Sequence, residues 1–168
     1  MTISSGAVIR NSKIADNTSV YTGSMNQGWG GGVFNNAATV ENCVITGNKA
    51  PHGGGVFVRH ASAEFYNCLV AGNSSTKTGG GVAFDSFGDH LAAVKDAKIY
   101  NFTIVDNTTE GEGAGVYFSN EGQTLVNTVL YGNTRSGAAD EYSARDGVTP
   151  LLTTCAVRTT ESLSDGNI

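Results

Sequence analysis

The chain has 168 residues, a formal charge of −5 and only 15% charged residues, with ten Lys and Arg spread thinly. That balance argues against nucleic acid or an anionic membrane surface as a partner, and no apolar run approaches the length of a membrane-spanning helix. The 39% hydrophobic fraction recurs in order along the chain, which predicts one folded domain rather than disorder.

Read from the first residue, one block appears five times: AVIRNSKIADN at 7–17, ATVENCVITGN at 38–48, AEFYNCLVAGN at 63–73, AKIYNFTIVDN at 97–107 and QTLVNTVLYGN at 123–133. Each copy carries an asparagine in its middle and a second one six residues later: Asn11/Asn17, Asn42/Asn48, Asn67/Asn73, Asn101/Asn107 and Asn127/Asn133. The position two before the first asparagine is apolar in every copy (Ile9, Val40, Phe65, Ile99, Leu125), as is the position three after it (Ile14, Ile45, Val70, Ile104, Leu130). A glycine block precedes four of the copies: GGGVF at 30–34 and 53–57, GGGVAF at 79–84 and GAGVYF at 113–118. The copies follow one another at 31, 25, 34 and 26 residues, so the unit is near 25, with insertions at 18–29 and 87–96.

Each unit holds two or three short runs rich in Val, Ile, Phe and Thr, separated by Gly, Asn and Ser. Those runs predict strands and the separators turns; no stretch has helical apolar spacing with caps. Short strands stacked in columns mark a solenoid. The spacing excludes leucine-rich repeats, calcium-binding nonapeptide rolls and six-residue left-handed helices. The expected fold is all-β: a right-handed parallel β-helix of about five coils over 1–133. An irregular continuation or partial C-terminal cap of the same domain is expected over 134–168, its apolar runs 148–152 and 155–157 lying across the last coil. The glycine block and the aliphatic-x-Asn-x-x-aliphatic-x-x-Asn block resemble the coils of pectate-lyase-like and polymorphic-outer-membrane-protein-like β-helices over roughly residues 6–133.

In such a coil Val33, Val56, Val82 and Val116 form one interior column. The amides of Asn42, Asn67, Asn101 and Asn127 are expected to stack beside it, since asparagine tolerates left-handed backbone and both donates and accepts. Asn17, Asn73, Asn101 and Asn107 fit the glycosylation pattern and read as by-products of Asn- and Thr-rich turns. Cys43 and Cys68 share a column and are expected to be reduced neighbours, with Cys155 as an odd third. Residues 1–5 are too few to cover Ile9 and Ile14, which predicts end-to-end self-association.

Function must sit on outward positions and on the insertions. Trp29, His52, Thr78 and Glu112 should align on one edge, and Arg10, Glu41, Tyr66, Tyr100 and Val126 in another column. Phe34, Phe57, Ala83 and Tyr117 should point outward from a third. The aromatic members Trp29, Phe34, Phe57, Tyr66, Tyr100 and Tyr117 are the candidate ligand-binding residues, since such rings can stack on sugars. The pectate-lyase resemblance implies clustered carboxylates that hold calcium and a basic residue that abstracts a proton. On this chain it points to Arg59, His60, Asp85, Asp89, His90 and Lys95. The carboxylates are bunched in the 86–96 insertion and its flank rather than stacked on successive strands, which departs from that pattern. No metal-ligand motif and no cofactor are expected; calcium enters only with the lyase alternative. The expected role is a non-catalytic, adhesin-like or carbohydrate- or protein-binding segment of a secreted or cell-surface bacterial protein. The alternative is the β-helix of a polysaccharide lyase or glycoside hydrolase acting on uronate-containing polysaccharide. No signal peptide opens the sequence, so a secreted parent implies that this is a fragment. The expected partners are polysaccharide or a cell-surface protein.

Overall fold

A computed structural model describes residues 1–21, 23, 28–85 and 97–158. The chain winds as a right-handed parallel β-helix, each coil laying strands into four sheets. Sheet 1 stacks Thr2–Ser4, Val33–Asn36, Val56–Val58, Val82–Phe84, Val116–Phe118 and Tyr142–Ala144. Sheet 2 stacks Val8–Arg10, Thr39–Glu41, Glu64–Tyr66, Lys98–Tyr100, Thr124–Val126 and Leu151–Thr153. Sheet 3 stacks Lys13–Ala15, Val44–Thr46, Leu69–Ala71, Thr103–Val105, Val129–Tyr131 and Ala156–Val157. Sheet 4 is shorter: Lys49–His52, Ser74–Thr78, Thr108–Thr109 and Thr134–Arg135, closed by Ala138–Ala139 running antiparallel to the last. Among the described residues no helix is long and apolar enough to cross a membrane.

Strand alternation turns apolar side chains into the lumen, one per coil from sheets 2 and 3 and two from the middle strands of sheet 1, such as Val56 with Val58 and Val82 with Phe84. Val33, Val56, Val82 and Val116 pair in direct register and are fully buried. Val40, Phe65, Ile99 and Leu125 do the same in sheet 2, and Ile45, Val70, Ile104 and Leu130 in sheet 3. Burial of this continuous column, at about 25 cal/mol per Å², is the main force against the entropy of ordering so many turns.

The two asparagines of each block do different jobs. Asn42, Asn67, Asn101 and Asn127 take φ between 50 and 57 at the corner from sheet 2 to sheet 3. Their amides do stack, Asn67 to Asn42 at 3.2 Å, Asn101 to Asn67 at 2.9 Å and Asn127 to Asn101 at 2.8 Å. Three of those pairings are exposed, however, so this ladder lies on the outside of the corner and not beside the interior valines. The inner ladder belongs to the second asparagine, because the left-handed turn there falls one residue earlier, on Gly47, Gly72, Asp106 or Gly132. Asn48, Asn73, Asn107 and Asn133 are buried. Each backbone N–H and amide Nδ2 donates to the Oδ1 of the asparagine one coil on, at 2.9–3.0 Å from Asn17 through to Asn133. The same Nδ2 atoms donate back to Ile14, Ile45, Val70 and Ile104 carbonyls of the preceding coil. Of the glycosylation-pattern asparagines, Asn73 and Asn107 are therefore buried, whereas Asn17 and Asn101 are exposed.

The glycine triplet is the counterpart of this ladder. Gly53 turns with φ 62. A Cβ on Gly54 would collide with the carbonyl oxygens of Ser74 and Gly80, and one on Gly55 would sit 3.0 Å from Asn73 Nδ2. The same Cβ would lie 2.7 Å from the Gly81 carbonyl oxygen, so the third glycine is bare to admit both the next coil's backbone and the inner amide.

Past Asn133, the expected irregular continuation contains regular strands, which add a sixth member to sheets 1, 2 and 3. Thr154 (φ 50) occupies the corner asparagine's place. Glu141 ends the inner ladder. Its buried carboxylate accepts from Asn133 Nδ2 at 2.6 Å, Asn133 N at 3.2 Å and Gly132 N at 2.9 Å; a carboxylate that only accepts cannot pass the ladder on. At the other end, Ile14 is buried and Ile9 half-buried, and Thr2–Ser4 pairs with Val33–Asn36.

Two consequences are measurable by thermal melting. Asn107→Ala leaves Asn73 N and Val70 O without their buried partner, so it should cost roughly 3 kcal/mol at ~1–3 kcal/mol per orphaned group. Asn101→Gly keeps the left-handed turn and loses only exposed bonds, so it should cost about 1 kcal/mol or less. Equal losses would contradict the assignment of inner and outer ladders. Separately, Val82→Asp places an unpaired ion in the lumen, and circular dichroism should show no cooperative melt; a soluble variant that melts cooperatively would refute a dry packed lumen.

Candidate functional site

The outer side of sheet 4 carries a groove of about 630 Å³, within the range of ligand sites. Every one of the first five coils contributes to it: Thr18, Ser19, Val20 and Tyr21; Lys49, Ala50 and Pro51; Ser74, Ser75 and Thr76; Thr108, Thr109 and Glu110; Thr134, Ser136 and Gly137. Nine of these sixteen side chains end in an aliphatic hydroxyl, and Lys49 and Glu110 are the only charged ones. Backbone pairing aligns Thr18, Lys49, Ser74, Thr108 and Thr134 in a single axial column. Ser75 and Thr109 are buried and share a hydrogen bond of 2.7 Å. Tyr21 is 60% exposed, with Lys77 Nζ 5.9 Å from its ring centre.

The edge where sheet 4 turns towards sheet 1 holds the expected column, Trp29 bridging His52, His52 pairing Thr78 and Thr78 bridging Glu112. His52 Nδ1 lies 2.8 Å from Thr78 Oγ1. Burial, with Lys77 nearby, lowers the His52 pKa from 6.5 to about 4.

The aromatic stripe expected on the surface of sheet 1 is not there. Phe57 and Ala83 are fully buried, Tyr117 is 6% exposed and Phe34 is half-buried. Phe34, Phe57 and Trp29 stack with centroids 5.4–5.8 Å apart, and the Arg59 guanidinium lies 5.4 Å over the Trp29 ring. Tyr66 and Tyr100 do lie in the expected column of sheet 2, but face to face at 5.4 Å. Side chains stacked in a ladder turn their faces along the axis and their edges to solvent, so these rings offer a sugar little free face.

Arg59, Asp85, Ser119 and Arg145 follow one another in successive coils just after the sheet 1 strands. Asp85 is buried and pairs with Arg145 at 3.6 Å; burial raises the pKa of Tyr117, and the nearby Arg145 acts in the opposite sense. The Ser119 hydroxyl is buried without a hydrogen-bond partner. His60 accepts from Ser62 N at 3.1 Å in the following turn. Asp89, His90 and Lys95 lie outside the described residues. Among the described residues no group of three His, Cys, Asp or Glu side chains is placed to hold a metal ion.

Cys43 and Cys68 are adjacent in one buried column, Cys43 N donating to Cys68 Sγ at 3.4 Å, and none of the three cysteines forms a disulfide. Cys155 is not an outlier: it sits beside Thr128 in the sixth coil of the same column. Burial pushes the Cys68 thiol up to about 12.

Comparison of the chain with protein-family models, with curated proteins and with solved structures finds no match in any of the three.

Two titration outcomes follow. Cys68 should resist iodoacetamide at pH 8 in the native state and react after denaturation, as read by mass spectrometry; rapid native labelling would contradict its burial. Because His52 binds its proton more weakly folded than unfolded, its share of stability is intact above about pH 6.5 and is lost as pH falls towards about 4. His52→Gln should flatten that part of a melting-temperature profile. An unchanged slope would place the acid sensitivity elsewhere.

Proposed function

We propose that this chain is a non-catalytic β-helix segment of a secreted or cell-surface protein that binds carbohydrate in the sheet 4 groove. The observation that carries this reading is the row of hydroxyls contributed by four of the five coils, with Lys49 taking the place in the remaining one. Ser and Thr each donate and accept, which matches a ligand whose own surface is hydroxyls. Val20 and Pro51 supply apolar wall for the C–H faces of sugar rings, and Tyr21 presents an exposed aromatic ring at one end. The groove is built on stacked strands, so little ordering entropy opposes binding.

A polysaccharide lyase or hydrolase is the second reading. The Asp85–Arg145 pair in the column that Arg59 opens favours it, since such chemistry needs carboxylates beside a cation. Both readings are tested together by a glycan array run with a calcium-supplemented assay for unsaturated uronate. Thr108→Arg fills the middle of the groove from an exposed strand position. Glycan affinity should fall at least ~10-fold, about 1.4 kcal/mol, with the melting temperature unchanged. Unsaturated uronate released by the wild-type chain, or binding indifferent to Thr108→Arg, would overturn the binding-groove reading.

A further inference from the structure

We infer that the groove selects an extended, uncharged polysaccharide lying parallel to the solenoid axis, of the straight, diequatorially linked kind. This rests on the carbohydrate reading above and adds the class of chain.

Length and repeat come first. The aligned column Thr18, Lys49, Ser74, Thr108 and Thr134 advances one rung per coil, and four rung spacings of about 4.8 Å give a groove about 19 Å long. Diequatorial linkages make a nearly straight ribbon whose sugar units advance by close to one rung each. Neighbouring units of such a ribbon are flipped by about half a turn, so every second unit meets the groove in the same way, and a hydroxyl satisfied at Ser74 has its equivalents at Thr18 and Thr134, two rungs to either side. A chain with an axial linkage at each unit coils and leaves a straight groove after two or three units. The scaffold cannot follow it, because the rungs are locked by the inner asparagine ladder at 2.9–3.0 Å per bond.

Charge narrows the class further. A uronate chain carries a carboxylate at every unit and would need a cation at every rung. The described lining holds one, Lys49, and opposes it with Glu110. Burying unpaired carboxylates along the other rungs would lose their hydration without return.

The test is calorimetry with the wild-type chain against cello- and manno-oligosaccharides from disaccharide to hexasaccharide, with malto-oligosaccharides and oligogalacturonates of equal length alongside. Affinity for the straight neutral series should rise several-fold per added unit and level off once the groove is filled. The coiled and acidic series should bind at least ~10-fold more weakly at equal length. In Thr108→Arg the gain should stop at the shortest members. Equal affinity for disaccharide and hexasaccharide, or preference for the malto- or galacturonate series, would overturn the extended neutral chain while leaving carbohydrate binding in place. Absence of binding to every glycan tested would overturn the carbohydrate reading itself and this inference with it.

Discussion

The buried amide of the second asparagine is the constraint on which the rest of the coil depends. An amide in a dry lumen is tolerable only if its donors and acceptor are all met, and here they are met by the coils on either side. Asn73 accepts from Asn48 N and Nδ2, and donates to Ile45 O and to Asn107 Oδ1. No other side chain of this length supplies that combination: aspartate cannot donate, and leucine can do neither. The ladder therefore sets the register of three sheets at once, since a coil that slipped by one residue would leave several buried groups orphaned. It also dictates the glycine block, whose third residue must leave room for the amide.

Most of this was legible in the sequence, because a constraint repeated in every coil writes itself five times. The apolar columns, the asparagine pairs and the Gly-Gly-Gly-Val block fixed the strands and the stacking direction. What periodicity alone did not distinguish was which asparagine faces in. The signal was nonetheless present. Asn48, Asn73 and Asn133 each follow a glycine, and Asn17 and Asn107 each follow an aspartate; these preceding residues take the left-handed turn and free the asparagine to point inward. Asn42, Asn67 and Asn101 follow Glu or Tyr, so they must make the turn themselves and finish outside. The sixth coil was harder to see because Thr154 stands at that corner and the inner ladder is closed by Glu141, which arrives from the lead into sheet 1.

The groove left no such trace. Sheet 4 reads KAPH, SSTKT, TT and TR in successive coils, with no position held constant except the small buried side chains Ala50, Ser75 and Thr109. Its hydroxyl character emerges only when those unlike segments are laid side by side by the neighbouring ladders. The aromatic positions gave the opposite problem: they were easy to pick out, but strand stacking turns their rings onto one another or buries them. A residue type suited to sugar stacking is not thereby placed to do it.

This division of labour explains why invariance and function separate in such a molecule. The lumen admits only apolar side chains and the ladder amides, because each side chain there is packed between buried neighbours above and below, and each buried amide is tied to two neighbours. Sheet 4 is attached to that lumen only at its base, through the corner before each inner asparagine and the glycines that follow. Its outward side chains can therefore vary from coil to coil at little cost to folding. A binding surface assembled there inherits the straightness and the rung spacing of the core while keeping freedom in chemistry. Spacing is then the property of the groove that substitution on its surface cannot alter, and it is the property through which the fold itself contributes to the choice of ligand.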